Sequence, residues 1–225
     1  MKFISNIPVE IKDHDVIRLL GHVKHQDKEL SGRFVRLYEE EKRYARRLVD
    51  PKAVFIIKDI SSVPKREIFV GAEKVVFSLT TIGSKLEDRV SKLSAGGKLE
   101  HSVVLDAIGS STVESAADFV NEKINHRAEE LGYDYTHRFS PGYCIWDISD
   151  QKLFFDTLPA DQVGVKLTRS MMMAPRKSVT FAINFGYKET MDMSLGQRDC
   201  GNCGKADCKY RGKRMEYYIE KKFDK

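Results

Sequence analysis

The sequence predicts an α+β fold. Segments with the alternating pattern of β-strands lie between segments with helical periodicity, and their spacing is not that of repeated βαβ units. Hydrophobic residues make up 41% of the 225 residues, which is enough to form a core. Because no linker-like stretch divides the chain, we expect one domain over residues 1–225, with residues 194–225 as a basic tail that contains cysteines.

Two helices and two strands are predicted in the first half of the chain. Residues 34–48 carry apolar and aromatic side chains at helical spacing, which predicts an amphipathic helix. Strands are expected at residues 53–60 and 74–81, where β-branched and aromatic residues are frequent. A second helix is expected between Gly83 and Gly96, because glycine commonly flanks the ends of helices.

The strongest helical pattern runs from residue 103 to residue 131, with apolar residues three or four positions apart except at one longer gap. Gly109 lies in that gap, and two interpretations are open. The glycine either allows another segment to approach closely or breaks the helix in two. A short helix is expected at residues 151–158, and alternation predicts a strand at residues 179–187.

Composition and charge exclude several classes of protein. The longest apolar runs are far shorter than the roughly 20 residues that cross a bilayer, and the N-terminus lacks the pattern of a signal peptide. We therefore expect a cytoplasmic protein without a membrane partner. The net charge is +5, but 33 acidic residues are mixed with 38 basic ones. Because the basic residues near the C-terminus lack the aromatic-studded groove of a nucleic-acid-binding protein, no nucleic-acid partner is expected.

The most informative motif is a Pro–Gly turn that separates Arg138 from Tyr143. A guanidinium binds a carboxylate through two parallel hydrogen bonds, and such a turn fixes the direction of its backbone groups. The residues therefore fit a site for an amino-acid-like ligand. They fit a surface turn equally well, so their types and spacing leave both interpretations open.

This motif resembles the Arg-x-x-Pro-Gly-Tyr signature of the activation domain of cobalamin-dependent methionine synthase. Residues 164–175 resemble the Gly-x-x-Leu-Thr-x-Ser segment of that family and its nearby proline, and residues 178–179 resemble its Ser-Val strand. Residues 113–119 resemble its glutamate-bearing helix. The resemblance covers residues 103–187 and implies a mixed, largely antiparallel twisted sheet flanked by helices.

The family binds S-adenosylmethionine, and the resemblance implies a role for four residues. Arg138 would hold the methionine carboxylate, and Glu114 would bind the positive amino end of the ligand. Phe139 would contribute backbone contacts and Tyr143 would line the bound cofactor. For Glu114 a second interpretation stays open, because residues 111–114 also fit a capping box in which the glutamate accepts a backbone hydrogen bond.

The sequence departs from the family in three places. Just before the arginine, Gly132, Tyr133 and Asp134 do not reproduce the family's acidic residue. The aspartate that the family contributes from the N-terminal part of the domain has no clear counterpart, and Asp13 and Asp15 are candidates by position alone. After the Pro–Gly–Tyr turn, this chain has Cys144, Ile145 and Trp146 where the synthase has a proline-containing run. These differences leave the affinity and the identity of the ligand open.

The resemblance implies an indirect role in reactivating cobalamin. The chain would present S-adenosylmethionine to cobalamin carried by a partner, either a methionine synthase or a related corrinoid protein, with flavodoxin or an iron–sulfur protein as electron donor. Whether the chain is an enzyme in its own right is left open by the sequence. A second hypothesis is a binding module that senses S-adenosylmethionine without catalysis.

The cysteines suggest a third hypothesis, that the chain binds a metal ion or cluster. Cys200, Cys203 and Cys208 lie close together in the tail, at spacings that allow thiolates to bind one metal ion, and Cys144 is the candidate for a fourth ligand. Zinc and an iron–sulfur cluster both suit thiolate ligands. The chain would then be a metal-cluster-containing activator that reduces corrinoid proteins.

Overall fold

A five-stranded sheet forms the centre of the fold. The computed structural model describes residues 1–21, 31–64, 66–143 and 146–196. Within these ranges the strands are β1 (Lys2–Ser5), β2 (Lys52–Asp59), β3 (Ala72–Thr81), β4 (Asp134–Tyr135), β5 (Lys166–Leu167), β6 (Met173–Ala174) and β7 (Ser178–Gly186). The order in the main sheet is β1-β2-β3-β7-β4, the pairings between these described strands are antiparallel, and β5 and β6 form a separate hairpin.

Four of the five described α-helices pack on one face of this sheet, and the fifth packs on the other. The described helices are α1 (Asp13–Leu19), α2 (Gly32–Leu48), α3 (Lys85–Ala95), α4 (Leu99–Glu130) and α5 (Gln151–Thr157). Alternate residues of the central strands, such as Val76 and Ile183, pack with α2, α3 and α4 in one hydrophobic cluster. The residues between them, such as Phe77 and Ala182, point to the opposite face and pack with α5 and Trp146 in a second cluster. The sheet is thus buried on both faces.

The predicted α+β class and the antiparallel sheet are confirmed. Each helix and strand predicted above is present, with ends shifted by four residues or fewer. Strand β1, helix α1 and the two-residue strands β4, β5 and β6 are not among the predicted elements. That the whole chain forms one domain stays a prediction. In the part of the chain that the structure describes, no helix is both long and apolar enough to cross a membrane.

Gly109 lies inside a continuous helix, so the interpretation that it breaks the helix is wrong. α4 runs without interruption for 32 residues. A Cβ atom on Gly109 would lie 2.7 Å from Cδ2 of Leu86 and 3.3 Å from Cε of Lys177. The glycine therefore allows α3 to pack closely on α4, and this contact fixes the position of the helix that carries Glu114.

We expect the substitution Gly109→Val to destabilise the protein by about 1–3 kcal/mol, the usual cost of overpacking a core. Intrinsic helix propensity would favour valine over glycine by a few tenths of a kcal/mol, so the expected loss comes from packing alone. Urea unfolding measures the difference. The matched control is Glu122→Val at an exposed position of α4. Equal stability of Gly109→Val and wild type would contradict the close-approach interpretation.

Candidate functional site

Arg138 forms the centre of an ion-pair cluster on α4. Its Nη2 atom lies 2.8 Å from Oε2 of Glu114 and 2.9 Å from Oδ1 of Asp118. Nζ of Lys12 lies 3.1 Å from the other oxygen of Asp118. This hydrogen bond outweighs the opposing effect of burial and raises the pKa of Lys12 above its usual value. Two cations and two carboxylates from three separate parts of the chain therefore meet at one place.

Strand geometry directs Arg138 towards α4. Residues 134–139 run antiparallel along β7, and the backbone N–H of Phe139 donates to the carbonyl of Ala182 at 3.0 Å. Because side chains alternate along an extended segment, Phe139 points into the second hydrophobic cluster, while Arg138 lies against Phe181 on the helical face. The Arg138 guanidinium carbon lies 5.6 Å from the centre of the Phe181 ring.

Gly196 packs against the backbone that carries Arg138. Its φ angle of 74° is in the left-handed region, and a Cβ atom there would lie 2.6 Å from the carbonyl oxygens of both His137 and Arg138. Any other residue would push the arginine segment away from its present position. The chain after β7 thus helps to hold the candidate site in place.

The continuity of α4 settles the open question about Glu114. A capping box requires residue 111 to lie at the start of a helix, but Ser111 is in the interior of α4. The capping interpretation is therefore wrong. Glu114 and Asp118 are one helical turn apart and project from the same face, so both reach Arg138. Of these two residues, the sequence predicted Glu114 alone. The spacing of four residues on a helix is the signal that could have indicated Asp118 as well.

One nitrogen of Arg138 has no hydrogen-bond partner. The side chain is 18% exposed, and Nη1 is buried without an acceptor among the residues that the structure describes. A buried N–H group without a partner costs about 1–3 kcal/mol. Nη2 makes both ion-pair contacts. The bidentate contact, in which two guanidinium nitrogens bind the two oxygens of one carboxylate, is therefore not formed with either Glu114 or Asp118.

The other predicted ligand-binding residues lie further along the same segment. The backbone carbonyl of Phe139 accepts from the N–H of Ala182 at 2.8 Å, and a carbonyl oxygen has a second lone pair. Tyr143 lies on the Pro–Gly turn with 65% of its surface exposed. The structure brings Arg138 and Glu114 into contact. The ligand roles of all four residues stay predictions.

Asp13 and Asp15 bond to other residues. The carboxylate of Asp13 accepts from Tyr38 Oη at 2.7 Å and from Lys42 Nζ at 2.5 Å. Asp15 accepts from Arg18 at 2.6 Å. The carboxylates that reach Arg138 both come from α4 instead.

The proposed cysteine site lies outside the described residues. Its four members are Cys144, Cys200, Cys203 and Cys208. Its metal stays a prediction.

Within the described ranges, Glu40, Glu41 and His101 place carboxylate and imidazole atoms within 4.8 Å of one another. Arg89 lies 3.3 Å from both oxygens of Glu41, and this positive charge opposes a cation there.

We expect the stabilising effect of Asp13 to disappear in acid. Burial alone raises the pKa of Asp13, but hydrogen bonds from Lys42 and Tyr38 outweigh it and hold the pKa below its ordinary value of 3.8. A carboxylate whose pKa is lower in the folded state than in the unfolded state stabilises the protein at pH values above its unfolded-state pKa. This stabilisation is lost as the pH falls through the folded-state pKa. Asp13→Asn should therefore be less stable than wild type at neutral pH, and the gap should close below pH 3.8.

Urea unfolding across this pH range measures the gap. Asp156→Asn, at an exposed position of α5, is the control and should show a small difference from wild type throughout. A gap for Asp13→Asn that stays constant from neutral pH into acid would contradict the assignment of the two hydrogen bonds.

Comparison with known proteins shows the fold. No protein-family model matches this chain, and no curated protein matches it. Among solved structures, the chain is similar to the crystal structure of the MetH reactivation domain bound to AdoHcy (S-adenosylhomocysteine). The TM-score is 0.59 at 14% sequence identity, and the match covers 81% of this chain and 77% of that chain. At this identity, the resemblance noted in the sequence is confirmed for the fold alone.

Proposed function

We propose that this chain binds S-adenosylmethionine at Arg138 and supports the reductive methylation that restores inactive cobalamin on a partner protein. One observation carries the proposal: a largely buried arginine faces two carboxylates in a chain with the fold of a domain solved with AdoHcy. The ligand contains a carboxylate, an ammonium and a sulfonium. The cluster contains the opposite charges that these groups need.

Binding exchanges the ion-pair partners within the cluster. The ligand's carboxylate binds the guanidinium of Arg138 side-on and gives Nη1 the acceptor that it lacks. Glu114, released from Arg138, accepts hydrogen bonds from the ligand's ammonium. Asp118 keeps its ion pair with Lys12. The ligand's carboxylate thus replaces Glu114 and Asp118 as the partner of Arg138, and its ammonium replaces Arg138 as the partner of Glu114.

Phe139 and Tyr143 complete the proposed site. The second lone pair of the Phe139 carbonyl accepts a hydrogen bond from the ligand. The exposed ring of Tyr143 lines one side of the bound molecule, which excludes water from that side. Because β7 fixes Phe139 through two backbone hydrogen bonds, the neighbouring Arg138 is held in a constant position.

The chain's contribution to the reaction is to hold and orient the methyl donor. When bound, S-adenosylmethionine would supply an electrophilic methyl group to cobalt(I) of the partner's cobalamin, and S-adenosylhomocysteine would be the product that leaves. Flavodoxin or an iron–sulfur protein provides the electron that first converts cobalt(II) to cobalt(I). The partner is a cobalamin-binding methionine synthase or another corrinoid methyltransferase protein.

Calorimetric titration combined with a methyl-transfer assay tests this function. We expect S-adenosylmethionine and S-adenosylhomocysteine to bind, and the chain to accelerate methylation of reduced cobalamin on its partner. Binding without acceleration would identify a non-catalytic module that senses the ligand. The absence of binding for both compounds would rule out the proposal.

The cysteine pattern supports a second candidate function. Cys200, Cys203 and Cys208, with Cys144 as the fourth ligand, would hold zinc or an iron–sulfur cluster, and a cluster would let the chain reduce corrinoid proteins itself. Iron and sulfide in anaerobically purified protein, together with visible absorbance, would support this role. A colourless zinc-loaded protein would remove its electron-transfer chemistry.

A further inference from the structure

A cleft of about 610 Å³ opens next to Lys12, between residues 9–14 and the C-terminal half of α2. Its volume is in the range of small-molecule sites. A hydrogen bond of 2.9 Å from the N–H of Glu10 to Oγ of Ser115 fixes residues 9–14 against α4. Glu114 and Arg138 do not line the cleft, whereas Lys12 does, so the cleft adjoins the proposed site for S-adenosylmethionine without including the two residues assigned to that ligand.

Three cationic residues line the cleft, Lys12, Lys42 and Arg46, together with the acidic residues Glu10 and Asp13. Lys42 is 12% exposed and is paired with Asp13. Arg46 also lines the cleft, and it has no ion-pair partner within 4.0 Å among the described residues. Asp13 is already bonded to Lys42 and Tyr38, so Glu10 is the lining carboxylate that would compete with an anionic ligand for Arg46.

Apolar residues also line the cleft. Val9, Ile11 and Val49 line the same cleft and are each half-buried. A bare inorganic anion has no group that benefits from such a surface. A molecule with both a charged and an organic part would use the whole cleft.

We propose that this cleft binds a phosphate-bearing small molecule of nucleotide size. Arg46 binds the phosphate oxygens through its paired nitrogens, and Lys42 adds a second positive charge. The organic part of the molecule packs on Val9, Ile11 and Val49. This ligand is distinct from S-adenosylmethionine, which has no phosphate, and its binding does not depend on the function proposed above.

Calorimetric titrations at low salt with inorganic pyrophosphate and with magnesium-free ATP test the proposal. We expect ATP to bind with a Kd below about 1 mM, and Arg46→Ser to weaken binding by about tenfold or more. The matched control is Arg36→Ser, an exposed arginine on the same helix about 15 Å away along its axis. It should leave the affinity within about twofold of wild type, as a contact-free surface charge would. Arg138→Ala should bind ATP normally, which separates this proposal from the first.

The outcomes divide clearly. Tighter binding of ATP than of pyrophosphate supports a site for a nucleotide, and equal binding supports a site for the phosphate group alone. Failure of both compounds to bind overturns the proposal, as does an equal loss of affinity in Arg46→Ser and Arg36→Ser. Thermal unfolding of each variant shows that the compared proteins are folded, because cations near a helix C-terminus also stabilise the helix.

Discussion

The variant Arg138→Ala is expected to bind S-adenosylmethionine about 10- to 150-fold more weakly than wild type, a loss on the order of 1.5–3 kcal/mol. The lost contact is a hydrogen-bonded ion pair between the guanidinium and the ligand's carboxylate, in a position where the side chain is 18% exposed. Arg138→Lys keeps the charge but removes the paired nitrogens, so its affinity should fall between the two. Isothermal calorimetry at constant pH and salt measures all three.

A matched control separates this effect from a general loss of arginine–glutamate pairs on α4. Arg127 is paired with Glu130 at 2.7 Å on the exposed surface of the same helix. Arg127→Ala should leave the affinity for S-adenosylmethionine unchanged. Equal affinities of Arg138→Ala and wild type, with both proteins folded, would remove Arg138 from the binding site.

The variant Arg89→Met is expected to lower the free energy of unfolding by about 3 kcal/mol. The carboxylate of Glu41 is completely buried between α2, α3 and α4, where Arg89 and His101 are its partners. Removal of Arg89 leaves the buried charge with His101 alone, and it also removes a guanidinium that lies 3.6 Å from the centre of the Tyr44 ring. Urea unfolding at neutral pH measures the loss.

The double variant Glu41→Met, Arg89→Met should recover most of this stability, because neither charge is then left without its partner. Arg33→Met is the control, since Arg33 forms an exposed ion pair with Glu100 and should cost less than about 1 kcal/mol. If Arg89→Met costs no more than Arg33→Met, the buried ion pair does not stabilise the packing of the helices.

Long periodic segments explain why much of the fold was predictable from the sequence. The apolar pattern of α4 extends over residues 103–131 with one longer gap, β7 alternates over nine residues, and β3 includes several β-branched and aromatic residues among its ten. β1 has four residues and α1 has seven, too few for a period to stand out. The continuity of α4 at Gly109 depends on Leu86 and Lys177, so the local sequence could not decide between a close approach and a break.

The candidate site was predictable in part, because motif residues mark its segment but not its partners. The Pro–Gly motif indicates Arg138, and the resemblance to the family's glutamate-bearing helix implies Glu114. Lys12 reaches Asp118 across a sequence separation of 106 residues. Such a contact depends on how α4 packs against the N-terminal segment, and no local pattern encodes it. Buried Glu41 was missed for the same reason, since its partners come from other helices.

A crystal structure of this chain with S-adenosylhomocysteine tests the central claim most directly. We expect the ligand's carboxylate to lie within hydrogen-bond distance of Nη1 and Nη2 of Arg138, and Glu114 to have turned from Arg138 to the ligand's ammonium. A ligand bound elsewhere, with Arg138 still paired to Glu114 and Asp118, would contradict it.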